Sequence, residues 1–143
     1  MIDFKIKEMF FDRQAVLSAV DRARLAVLSK FGAFVRQTAR QSIVKRKAVS
    51  VPGQPPRSHT GLLKRLIFFG YDPATKSVVI GPAPMGATPE ALPALEYGGA
   101  TVVKPHGRFK GTRRVIITAR PFMGPALEKE QSKLPSLWLD SVH

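Results

Sequence analysis

Side chains able to make or break bonds are sparse in this chain, and their spacing does not converge. The 143 residues include three histidines and no cysteine. His59 falls in a proline-rich stretch, His106 in a basic stretch punctuated by glycine, and His143 at the C-terminus. None belongs to an HxxxH or HExxH pair, the spacing that would set two imidazoles on one helical face for a metal ion. Glu128 and Glu130 stand two apart in a helical pattern, so they point in different directions and suit metal-dependent hydrolysis poorly. No GxSxG elbow, Walker loop or dinucleotide fingerprint is present. The expectation is a non-enzyme with no catalytic residue, no cofactor and no metal.

What remains is electrostatic. Lys and Arg number 23 against 10 Asp and Glu, a formal charge of +13, which favours an acidic partner: nucleic acid, an acidic protein surface or anionic lipid. The excess has two acid-free foci. Residues 36–47 carry Arg36, Arg40, Lys45, Arg46 and Lys47; residues 104–120 carry Lys104, Arg108, Lys110, Arg113, Arg114 and Arg120. Both foci read equally as a solvated basic surface. Phe109 is the lone aromatic among the basic runs, so base stacking has little to work with.

The elements that must position these groups follow from periodicity. Residues 2–8 alternate Ile2, Phe4 and Ile6 against Asp3, Lys5 and Lys7, the pattern of a half-buried strand, and the same mixture of charges is unlike a signal peptide. Asp12 offers a cap to a helix running to Ser42, on the order of 45 Å long. Val16, Val20, Ala23, Val27, Phe31 and Phe34 share one arc of its wheel, with Arg22, Arg36 and Arg40 roughly opposite. Leu17, Leu28 and Val35 widen the apolar arc; either the chain's own core or a neighbouring subunit covers them.

Residues 44–59, with Pro52, Gly53, Pro55 and Pro56, are expected as an exposed, extended loop inside a single domain, 1–143. Thr60 can cap a short helix, Gly61–Arg65. Leu66–Tyr71 and Ser77–Ile80 read as a hairpin around Asp72–Lys76, and Ala100–Val103 with Arg114–Ala119 as a second. Ala94–Tyr97 suggests a helical turn. A helix starts at Phe122, and Pro135 is expected to break it before Leu137-Trp138-Leu139. The fold class expected is α+β: a long N-terminal helix on an antiparallel sheet of about four or five strands, with a short C-terminal helix. No run reaches the length of about 18 apolar residues that a membrane span needs, so no membrane is expected.

Three motifs stand out: Thr60-Gly61-Leu62 after its proline-rich approach, Leu95-Glu96-Tyr97-Gly98-Gly99, and Ala119-Arg120-Pro121-Phe122-Met123-Gly124-Pro125-Ala126-Leu127. Glu96, one of few acids in a basic chain, is expected to pair with a base such as Arg120, within the subunit or across an interface. Phe122 is expected in the core. Trp138 is either a staple closing the core or a contact for the next subunit. In order and surroundings the motifs, with the ending Leu134-Pro135-Ser136-Leu137-Trp138, resemble the neck, tail-completion and minor tail proteins that join head to tail in long-tailed bacteriophages. The likeness spans about residues 50–140. It implies a virion protein assembled in the host cytoplasm, forming a homo-oligomeric ring between connector or portal-side proteins and the tail tube, with possible contact with packaged DNA. The candidate interface residues are Leu28, Val35, Glu96, Tyr97, Arg120 and Trp138. A tail terminator is the nearest alternative, and a basic nucleic-acid-binding module the alternative from another class.

Overall fold

The computed structural model describes residues 12–84, 90–103 and 111–141. Its first helix, α1 (Arg13–Ser42), is capped by Asp12, whose carboxylate accepts the Ala15 N–H at 3.0 Å and so satisfies one donor that a helix start leaves unmet. The 30 residues make a rod of about 45 Å. Its buried residues are Ala23, Val27, Phe31, Gly32, Val35 and Ala39. A spacing of four overshoots a full turn by about 40° at each step, so this stripe winds around the rod. The winding carries Val35 out of the expected arc and into the core. Offered as an interface residue, Val35 is instead 1% exposed and packed within its own chain. Leu28 is half-buried, while Val16 and Leu17 are exposed.

Against α1 lies a hairpin of β1 (Ile67–Asp72) and β2 (Ser77–Pro82), paired antiparallel from Ile67 opposite Pro82 to Asp72 opposite Ser77. Asp72 shapes the turn by accepting the Ala74 N–H at 2.9 Å and the Thr75 hydroxyl at 2.7 Å. The hairpin runs along the rod because both its ends are tied to it. Arg36 Nε donates to the Ile67 carbonyl at 2.7 Å, and Lys76 Nζ reaches Asp21 at 3.3 Å. Arg36, expected as free basic surface, is therefore half-buried and committed to the hairpin. Between these ties the hairpin's side chains press on the helix backbone: a Cβ on Gly32 would lie 2.8 Å from Val78 Cγ2 and 2.9 Å from Phe69 Cδ2.

The C-terminal half of α1 packs on α2 (Leu62–Arg65), α4 (Met123–Gln131) and α5 (Leu134–Leu139). Phe31, Val35, Ala39, Ile43, Leu63, Ile67, Phe122 and Ala126 form the core there. The cap of α2 is Gly61 and not the expected Thr60: the chain enters the helix at φ +77°, a conformation glycine permits, and the Thr60 hydroxyl accepts the Leu62 N–H at 3.3 Å from one residue further out. Pro135 does not end helical structure; it stands in the first turn of α5, where its missing N–H has no partner to lose. Glu128 is exposed whereas Glu130 is buried. Glu130 accepts the Thr38 hydroxyl at 2.6 Å and pairs with Lys133, whose ammonium sits 4.8 Å from the centre of the Phe34 ring. This cluster clamps α4 to α1.

The remaining strands, β3 (Gly99–Val103) and β4 (Arg113–Ile117), pair only with each other among the described residues. The α+β class stands, but the single sheet expected of four or five strands is, among the described residues, two separate two-stranded ladders. The strand expected at 2–8 lies outside the described residues. No described helix is long and apolar enough to cross a membrane.

Gly32→Val should destabilise the protein by about 1–3 kcal/mol in urea unfolding, because the stiff Val78 and the Phe69 ring leave a side chain no room. A second expectation concerns acid. The Lys133 ammonium, then the Thr38 hydroxyl, hold the Glu130 carboxyl below its ordinary 4.5. A pKa lowered by folding stabilises the fold above the unfolded value, and that contribution is lost as pH falls through the folded one. Urea unfolding should therefore show stability declining below pH 4.5, and Glu130→Gln should remove part of that slope.

Candidate functional site

Two of the singled-out motifs, Leu95–Gly99 and Ala119–Leu127, meet at one junction, which Gly53 joins from upstream of Thr60-Gly61-Leu62. α3 (Ala91–Tyr97) delivers Glu96 to the start of α4. There Oε2 accepts the N–H groups of Phe122 and Met123 at 2.9 and 3.1 Å, and Oε1 accepts that of Gly124 at 2.8 Å. Three donors that a helix start would leave unmet are thus satisfied by one buried carboxylate, placed at the positive end of the helix dipole. The partner expected for Glu96, Arg120, is not its partner. Arg120 Nε donates to the Ser50 carbonyl at 3.2 Å and Nη1 to the Thr118 carbonyl at 3.2 Å.

Backbone bonds complete the junction. The Arg120 N–H donates to the Leu95 carbonyl at 2.7 Å, and the Gly53 N–H to the Ala119 carbonyl at 2.9 Å. The 44–59 loop is therefore exposed along most of its length but tied down rather than loose. Gly98 closes the turn out of α3 at φ +79°, and a Cβ there would sit 3.2 Å from the Ala119 nitrogen. Glycine is required at this point both for conformation and for space. The beginning of β3 is fixed by the same turn.

This arrangement anchors the chain: both oxygens of the carboxylate accept backbone donors. Around it the other candidates separate. Tyr97, next to buried Glu96, is 83% exposed and edges a groove of about 400 Å³ with Ile80, Pro82, Leu92 and Met123. Trp138 is 40% exposed on α5 beside the more exposed Leu139, while Leu137 packs toward the core. Trp138 is thus at most a partial staple. Lys45, Arg46, Lys47, Arg113 and Arg114 are exposed, and Arg40 is half-buried. Arg108 and Lys110 lie outside the described residues.

Two features escaped the sequence reading. Ser50 and Arg57 join the basic stretch through the fold of the loop, a juxtaposition that an acid-free run from Arg22 to Tyr71 could have suggested. The Thr38–Glu130–Lys133 cluster left no such signal. Comparison with protein-family models, with curated proteins and with solved structures finds no match to this chain.

Removing the carboxylate should cost more than removing the cation once expected to pair with it. Glu96→Ala is expected to lower stability by about 2–4 kcal/mol, since it strands buried backbone donors. Arg120→Ala, which gives up only bonds to carbonyls, should cost about 1 kcal/mol. Urea unfolding of both variants checks the order.

Proposed function

We propose that this chain is a structural virion protein of the phage neck, which joins the capsid connector to the tail and completes the tail as a ring-forming subunit. The observation that carries this reading is the meeting of the motifs on which the family resemblance rests. The Glu96 motif, the Arg120-Pro121-Phe122 motif and the proline-rich approach to Thr60 are far apart in sequence, yet they interlock through one carboxylate and three further backbone and side-chain bonds. Residues so used set architecture, as the motifs of an assembly protein would.

Several apolar side chains left in solvent support a subunit role. Tyr97 lies at the end of α3, Phe68 and Val79 on the outer face of the first hairpin, Ile116 on β4, and Trp138 and Leu139 on α5. A ring built head to tail needs two different surfaces that complement each other, and exposed apolar residues on separate elements provide for that. The role is then geometric: copies packed about an axis present a matched surface to the connector and to the tail end. A tail terminator would use the same surfaces at a different station.

Mass measured in solution and within particles is expected to give a closed ring, and particles made without the protein should be unjoined, non-infectious heads and tails under electron microscopy. Tyr97→Ala and Leu139→Ala, both at side chains 83% exposed, should weaken the ring with monomer stability changed by less than about 0.5 kcal/mol. Joined, infectious virions in the protein's absence would refute the role.

A further inference from the structure

We propose that the loop after α1 forms a binding surface for the phosphate backbone of nucleic acid. The inference does not rest on the ring: it concerns a surface present on each copy. No Asp or Glu occurs between Asp21 and Asp72, and the fold gathers the cations at one end of that run. A parallel bridge joins Val44 to Arg57, and the Ser58 N–H donates to the Val44 carbonyl at 3.0 Å. Lys45 lies along the start of α2, its Cδ 3.8 Å from where a Gly61 Cβ would be. Lys45, Arg46 and Lys47 are thereby brought beside Arg57, all four exposed. The ion pairs among the described residues use Asp21 and Glu130 alone, so none of these four is neutralised by one.

The same loop encloses a recess of about 190 Å³ lined by Ser42, Val44, Ser50, Val51, Gln54 and Arg57. Ser50 is 6% exposed, and its hydroxyl has no hydrogen-bond partner among the described residues. A buried hydroxyl left unpaired is costly, and a ligand oxygen would satisfy it. Hydroxyl, amide and guanidinium donors around one hollow are the groups that hold a phosphate oxygen, with Arg57 supplying a fork of N–H donors. Lys45, Arg46 and Lys47 would meet neighbouring phosphates. No Phe, Tyr or Trp occurs between Phe34 and Phe68, so the surface is suited to backbone charge more than to bases. Val49 and Val51 are exposed near the recess, which makes an anionic membrane the alternative to be tested alongside.

The experiment is titration of labelled duplex DNA, by fluorescence anisotropy across a salt series, with the full chain in its native oligomeric state. Wild type should bind with log affinity falling linearly against log salt concentration. K45S/R46S/K47S/R57S should bind at least tenfold more weakly, with a slope shallower by about 3–4. R13S/R22S/K30S/K129S removes the same charge from exposed positions outside both basic foci and should lose threefold or less. Ser50→Ala, which leaves charge untouched, should still weaken binding severalfold. Circular dichroism confirms that each variant is folded, and the triple K45S/R46S/K47S serves if the quadruple is not. Equal losses for the two quadruple variants would overturn the proposal, as would no effect of Ser50→Ala. So would binding to phosphatidylserine vesicles in the absence of DNA binding. Measured mass decides the ring separately.

Discussion

A carboxylate set where three backbone N–H groups converge is the interaction on which the rest of this structure depends. Burying the Glu96 charge is expensive, and it is tolerated because three donors on an aligned helix start take the place of water. Those bonds fix where α4 begins. The start of α4 in turn drops Phe122 into the core and places Ala119 and Arg120 where the 44–59 loop can bond to them. On the other side, α3 ends at Gly98, whose left-handed turn fits against Ala119 and releases β3. A loop, a helix start and a hairpin are thus positioned by one side chain.

The second constraint is the long helix. Its winding stripe lets one rod serve two layers: the first hairpin lies along it from Asp21 to Arg36, and the α2, α4 and α5 layer covers its C-terminal half. At each contact a small device sets the separation. Gly32 lets the hairpin come close, and the Glu130 cluster holds α4. The core is concentrated where these layers meet. Apolar side chains beyond it, such as Phe68, Ile116 and Leu139, remain in solvent.

Much of this was legible in the sequence, and the misses share a cause. Asp12 as a cap, the Asp72 turn and the burial of Phe122 are local effects, read from residue type and period. Arg120 suggests itself as the partner of Glu96 because side-chain charge is visible in a sequence, whereas backbone N–H groups are common to nearly every residue and become a cation-like site only when a helix start aims them. Val35 falls on the flank of a helical wheel because a single arc cannot follow a stripe of spacing four. Arg36 looked free because its long stem can carry its head to a carbonyl that no periodicity locates. The junction itself needed the fold: nothing between Gly53 and Ala119 announces that their backbones meet.

Amide hydrogen exchange at Phe122, Met123 and Gly124 tests the central claim most directly. These three N–H groups lie at the start of a helix, where donors without partners exchange rapidly. If the Glu96 carboxylate holds them, all three exchange slowly in the wild type and become fast together in Glu96→Ala, while amides in the middle of α1 stay protected. Rapid exchange at these positions in the wild type, or protection that survives loss of the carboxylate, would contradict the account.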